Sequence, residues 1–280
     1  MYKRQGGILS RLGFVAIAAY RRVADGLHRN QLVGKGAFGV NIILFEESEL
    51  DSPFKREDPR VVHLLEVLRR TPGDETDVGL VNGPRGKAVL RSVDDDQAVL
   101  DFRWAEEPEP LLPIDLIVGL SRPQTSRKIL QEVTSLGVRR ILFVATDRGE
   151  RSYETSKLWT TDEWRQCIRS GVEQAFSTRF PEVQFGLTLI DGIDAVDGLP
   201  NRICLDNYEA TGSLRDAAEG HEAAVLAIGS ERGWSAKERD LFRSHGFELA
   251  HLGERPLRTE TAAIAAVSIC LLYTSPSPRD

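Results

Sequence analysis

The chain has 280 residues, of which 41% are hydrophobic and 28% charged, and its formal net charge is −6. This length and balance suit a soluble globular protein with one large or two modest domains, and they exclude a disordered chain. An acidic balance counts against a non-specific nucleic-acid binder, which carries a basic excess, and leaves open only a local basic face.

The first residues read as foreign to the fold. MYKRQ at the start and LLYTSPSPRD (271–280) at the end resemble translated sequencing-adapter peptides, and neither is periodic. Residues 1–39 are therefore expected to be leader, with the native start at Val40. GFVAIAAY (13–20) is too short to span a bilayer and lacks a cleavage region after it, so no signal peptide is expected. VGKGAFGV (33–40) spaces Gly34, Gly36 and Gly39 like a phosphate-covering loop. No V-A-I-K strand, H-R-D or D-F-G follows, so this reads as an accidental pattern.

From Asn41 to about Trp104 the text is strand-like. NIILFEE opens it, VVHLLEVLRR offers one or two helical turns, and Asn82-Gly83 through Gly86 is a turn between two apolar runs. SVDDDQAVLDFRW adds a polar turn and another strand. A small β-rich domain is expected here, with His63 in a structural role. AEEPEPLLP (105–113) reads as a linker, because its prolines cannot continue a sheet or helix.

After Pro113 the periodicity changes. IDLIVGL (114–120) is a nearly unbroken apolar run, as in a strand buried on both faces. Ser126 to Leu136 reads as a helix stopped by Gly137, and VRRILFVAT (138–146) as a strand. Thr160 with Glu163 has capping-box spacing for a helix reaching about Ser177. Strands follow at 183–190, 202–206 and 223–229. Ser235 and Glu238 form a second capping box, for a helix that ends at Gly246, and FELAHL (247–252) is a further strand. Thr259 is placed to cap a last helix. This alternation predicts an α/β fold with a mostly parallel sheet. Three cysteines, Cys167, Cys204 and Cys270, form no CxxC pair and no metal spacing, which points to a reduced, cytoplasmic setting.

Two glycine turns, one after AVLAI and one after FELAHL, would both leave the carboxyl edge of such a sheet, where α/β proteins bind ligands. Side by side, they would grip a small molecule through backbone groups. Ordinary connecting turns and a solvated helix start account for the same spacing.

IGSERGW (228–234) followed by S-x-x-E, then LGERPLRTETA (252–262), resembles the C-terminal signature of the bacterial small-subunit ribosomal RNA uracil-N3 methyltransferases, a SPOUT-type family whose usual text is IGPEGGF and LGxRILRxETA. H-L-x-x-V-L-R with Gly73-Asp74, L-G-V-x-x-I (136–141), and Glu173-Gln174 with Arg179 and Pro181 agree with it. The resemblance covers roughly residues 41–269. It implies a PUA-like β domain (40–108, with the start of the linker) and a methyltransferase domain (109–270) whose C-terminal segment threads a trefoil knot. It further implies S-adenosylmethionine as cofactor, 16S ribosomal RNA or the assembled small subunit as partner, and a homodimer. Leu226, Ile228, Gly229, Gly233, Leu252, Gly253 and Leu257 fall on the cofactor positions. Arg258, then Arg255, are the candidates to stabilise charge on the uracil carbonyls, and Glu231 matches the loop glutamate.

The pattern is broken in places. Ser230 stands for proline, Arg232 for glycine, Pro256 for isoleucine, and Glu132 and Ser135 for lysine and glutamate. Arginine at 232 would be strained if the position needed positive φ. Arg139, Arg140, Arg148 and Arg151 are candidates for RNA phosphate contact, against a merely solvated surface. The rival readings are a methyltransferase for another RNA uridine and a non-catalytic RNA-binding relative.

Overall fold

The computed structural model describes residues 41–274. The expected leader, its glycine pattern and the start at Val40 lie outside the described residues. The first sheet contains β1 (Ile43–Phe45), β2 (Phe54–Lys55), β3 (Glu75–Leu80), β4 (Arg85–Val93) and β5 (Gln97–Glu106), in the order β1-β3-β4-β5-β2. Only β1 and β3 run parallel. The expected helix at VVHLLEVLRR is present as Pro59–Val62 continued by His63–Val67.

β1 belongs to two cores. Ile43 and Phe45 pack into the core of the first sheet with Phe54, Val61, Leu64 and Leu90, whereas Ile42 and Leu44 pack into the core of the second sheet. A strand turns successive side chains to opposite faces, so one extended segment serves both. The seam is closed by main-chain bonds: the Ile42 N–H donates to the Glu173 carbonyl at 3.2 Å and the Asn82 N–H to the Thr178 carbonyl at 2.8 Å. The linker is shorter than expected, since β5 persists to Glu106 and the next strand opens at Leu112.

The second sheet contains β6 (Leu112–Gly119), β7 (Val138–Val144), β8 (Glu182–Leu187), β9 (Arg202–Leu205), β10 (Gly212–Ser213), β11 (Ala224–Ile228) and β12 (Glu248–His251), in the order β10-β12-β9-β11-β6-β7-β8. Every pairing is parallel, as the alternation of strands and helices implied. Period-two alternation divides its side chains between two helix layers. Leu116, Val118, Leu226 and Ile228 meet Ile129, Ile168 and Val267 on one face, while Ile117, Val225 and Ala227 meet Ile193, Trp234 and Phe242 on the other.

Several local expectations are corrected. Helix Pro123–Ser135 starts three residues early, with proline in its first turn, where a missing N–H costs nothing. Thr160 and Glu163 do not cap together. Thr160 ends a separate short helix and bonds the Ser156 carbonyl, and Glu163 pairs with Arg127 at 2.6 Å, leaving Asp162 to begin helix Glu163–Gln174. The strand expected over 183–190 stops at Leu187, because Thr188 and Asp191 form a capping box that turns Leu189–Asp194 into helix. The Ser235/Glu238 box forms as expected and opens helix Ala236–Ser244. Thr259 is the first residue of helix Thr259–Thr274, not its cap; the Arg258 carbonyl accepts the first helical bond, from Ala262. That helix also runs through 271–274, the beginning of the segment set aside as tail.

Candidate active site

Both glycine turns leave the carboxyl edge, after β11 and β12. They are not neighbours: β9 lies between those two strands, so its own turn, Asp206 to Ala210, intervenes. Sequence reasoning missed this third loop, although D-N-Y-E after the apolar RICL was a readable turn signal.

The β9 and β11 loops are stapled by charge. The buried Asp206 carboxylate accepts the N–H groups of Tyr208 at 2.8 Å and Glu209 at 2.7 Å. Arg239, from helix Ala236–Ser244, donates to the Trp234 carbonyl at 2.8 Å and to Glu209 at 2.8 Å, tying the β9 loop to the β11 loop. The Arg243 and Arg239 guanidiniums hold the Glu209 carboxyl below its usual range, so the staple is charged at neutral pH. On the other side, the buried Glu238 accepts the Ser235 and Asp147 N–H groups, each at 2.7 Å, which joins the β11 loop to the loop after β7.

The β11 loop lies tightly against the sheet. A Cβ added at Gly119, the last residue of β6, would come within 2.5 Å of the Ser230 nitrogen. The positive φ in this loop, +64°, is carried by Gly233. Arg232 is absent from the positive-φ residues, so the strain considered for it does not arise. Glu231 accepts the Arg122 N–H at 3.0 Å, at the start of helix Pro123–Ser135. Its carboxylate thus orients two loops against each other. Gly253 has φ +107° with nothing within 4 Å of an added Cβ, so the β12 loop offers its backbone to open space. Its N–H is held by His251 Nδ1 at 3.1 Å.

The nominated residues divide by depth. Leu226 and Ile228 lie in β11 with their side chains buried in the core, which leaves their backbone to serve the role expected of them. Gly229, Gly233, Leu252, Gly253 and Leu257 stand at the edge itself, Leu257 being 41% exposed. Tyr208, 74% exposed, lies close to Gly233 and adds an aromatic face that the sequence reading had not included. Exposed apolar groups beside approachable backbone suit a flat, partly apolar molecule such as an adenosyl group. Arg255 and Arg258 are exposed, and their guanidiniums make no hydrogen bond or ion pair with any described residue. The salt bridge considered for Arg258 is made by another residue: Glu260 pairs with Lys128 at 3.6 Å.

Arg139 and Arg140 are elsewhere. They sit near the amino edge, bonded at 2.7 and 2.9 Å to Asp115, which is wholly buried. Two arginines committed to one carboxylate serve the fold, and this corrects their candidacy as phosphate contacts. His63 lies where helix Pro59–Val62 passes into His63–Val67, beside the first sheet's core residue Leu64.

A family model for the RNA methyltransferase domain matches residues 107–271. The chain is 34% identical over 245 residues to ribosomal RNA small subunit methyltransferase E of Treponema pallidum, covering 83% of this chain and 91% of that protein. This protein belongs to the ribosomal RNA small subunit methyltransferase E family. Among solved structures, the Neisseria gonorrhoeae methyltransferase E bound to S-adenosylmethionine superposes with a TM-score of 0.63 at 26% identity, covering 83% of this chain and 98% of that one. A Legionella pneumophila methyltransferase with bound cofactor gives 0.65 at 25%, covering 77% and 90%. The chain thus has the α/β methyltransferase fold of these relatives. Among the described residues, no helix is long and apolar enough to cross a membrane.

Proposed function

We propose that this protein methylates N3 of a uridine in 16S ribosomal RNA, with the three carboxyl-edge loops holding the methyl donor and Arg258 facing the base. Family membership carries the reaction class, an S-adenosylmethionine-dependent rRNA methyltransferase. The observation that carries the site is the pair Arg255 and Arg258, whose guanidiniums hold no partner among the described residues, on the same loop as Gly253 and the exposed Leu257.

The cofactor, when bound, supplies an electrophilic sulfonium methyl group. Gly229, Gly233, Leu252, Gly253 and Leu257 would hold it by shape and backbone bonds, with Tyr208 on one side. N3 lies on the Watson–Crick edge, so the uridine must be unpaired or extruded before the edge is accessible. As N3 loses its proton, charge spreads to the flanking carbonyl oxygens. Arg258, at the start of helix Thr259–Thr274, combines a guanidinium with the positive end of the helix dipole there. Arg255 is the second cation, and Glu231 acts by positioning its loop.

The domain assignment, PUA-like for 40–108 and SPOUT-type for 109–270, belongs to the same proposal. A trefoil knot is supported by the place of β12, the last strand, inserted between β9 and β10, which only residues 206–211 connect. A homodimer is supported by the apolar helix Thr259–Thr274, whose Leu272 remains 53% exposed.

Calorimetry with S-adenosylmethionine tests the loops, and saturable uptake is expected. Reverse transcription then reads the product, because methylation at N3 blocks pairing and stops copying at that base. Restoration of that stop in cells lacking the ribosomal mark is expected. Cofactor uptake without any stop favours a non-catalytic relative, and a stop at a different RNA favours another substrate.

A further inference from the structure

Residues 253–257, all exposed, carry the chain from β12 toward helix Thr259–Thr274. Among the described residues they make a single hydrogen bond, from the Gly253 N–H to His251 Nδ1 at 3.1 Å. Pro256 removes one donor from the stretch outright. The next bond along the chain belongs to the helix, where the Arg258 carbonyl accepts from Ala262. His251 itself is well placed to hold something. It is the last residue of β12, paired with Ser213 of β10 on one side, while β9 flanks the strand on the other. An acceptor anchored in the sheet thus holds the most permissive residue type, a glycine at φ +107° with nothing within 4 Å of an added Cβ.

Because Gly253 is exposed, water could satisfy its N–H at little cost, so the bond to His251 matters for direction more than for satisfaction. A trans peptide is planar, and fixing its N–H fixes the whole unit from Leu252 to Gly253. The Leu252 carbonyl then points the opposite way, and no described residue donates to it. Past the bend, the N–H groups of Glu254, Arg255 and Leu257 have no acceptor among the described residues. We propose that His251 is a positioning residue for the methyl donor: its Nδ1 lone pair sets the peptide plane that holds these backbone groups ready for the cofactor. S-adenosylmethionine carries amino groups for the carbonyl and acceptor atoms for the N–H groups. The imidazole does this as the neutral ring with its hydrogen on Nε2, since a protonated Nδ1 cannot accept. It touches neither the methyl group nor the base.

This role rests on the proposed function, because it requires the β12 loop to meet the cofactor. Asparagine Oδ1 and histidine Nδ1 both stand two bonds beyond Cβ, and asparagine makes the same bond to the second residue on in Asx turns. Phenylalanine keeps the ring and loses the acceptor. Calorimetry with S-adenosylmethionine is therefore run on the full chain as wild type, His251→Asn, His251→Phe and His251→Ala, with hydrogen exchange followed at the Gly253 amide. His251→Phe and His251→Ala are expected to weaken cofactor affinity roughly threefold to tenfold and to speed that exchange, with the melting temperature unchanged. His251→Asn should keep both near their wild-type values. Wild-type affinity in His251→Phe, or a loss in His251→Asn as large as in His251→Phe, overturns the positioning role and leaves the proposed function standing. Absence of cofactor uptake by the wild-type protein overturns the proposed function, and the role of His251 with it.

Discussion

The two edges of the larger sheet use the same residue type in opposite ways. At the amino edge, Arg139 and Arg140 converge on the buried Asp115 and are spent on the fold. At the carboxyl edge, the exposed guanidiniums of Arg255 and Arg258 hold nothing among the described residues. Burial of a charge is tolerable only when it is paired, so the inner carboxylate requires its arginines. A cation meant for an external anion must be left without an internal one. The partner list, more than the residue type, distinguishes a structural arginine from a working one.

The largest effect expected from this contrast is on stability at the amino edge. Asp115→Ala strands two guanidiniums beside a dry interior and should cost about 3 kcal/mol or more, read as a shift in the urea midpoint. Restoring the loss by a second change, Arg140→Leu, would confirm that the pair acts as a unit. An unchanged midpoint breaks the contrast. Next comes Arg258→Ala, which should reduce turnover about 10²- to 10³-fold, while calorimetric affinity for S-adenosylmethionine and the melting temperature stay within error. Wild-type turnover would return Arg258 to the class of solvated arginines.

Much of this was legible in the sequence where the signal was local. The Ser235/Glu238 capping box, the helix stop before Gly246 and the parallel sheet follow from neighbours within a few residues. Strand order is set by pairing between distant segments, so no local pattern could place β9 between β11 and β12. That is why the loop carrying Asp206, Tyr208 and Glu209 escaped the reading. The Thr160–Glu163 spacing failed for a related reason, since Arg127, 36 residues away, claimed the glutamate. NIILF held more information than was taken from it. A continuous apolar run predicts burial on both faces, and here the two faces belong to two cores. Arg258 was chosen from the resemblance alone; the absence of an internal partner is a property that only the folded chain displays.

A smaller effect is expected from Gly253→Ala. The space beside Gly253 is open, so the cost is purely conformational, about 1–3 kcal/mol if the φ of +107° is kept. The loop can relieve this by moving, and calorimetry should then find cofactor affinity reduced about tenfold with little change in the global melt. If affinity is untouched, the β12 loop does not present its backbone to the cofactor, and the carboxyl edge loses its central element.

The smallest effect lies where helix Glu163–Gln174 ends, at the seam between the two sheets' cores. Burial raises the Glu173 carboxyl above its ordinary value of 4.5, against the weaker opposing pull of Arg169 and Arg60. The folded protein therefore binds this proton more tightly than the unfolded chain does. The stabilising contribution is full below pH 4.5 and declines as pH rises from there through the raised folded value. At neutral pH the ionised carboxylate is a small burden on the seam. Glu173→Gln should accordingly raise the melting temperature slightly at pH 7, and the gain should shrink toward pH 4. The same substitution should leave cofactor uptake at the carboxyl edge unaltered. A gain that grows on acidification would reverse the sign and show that Arg169 and Arg60 neutralise Glu173 as completely as Arg139 and Arg140 neutralise Asp115.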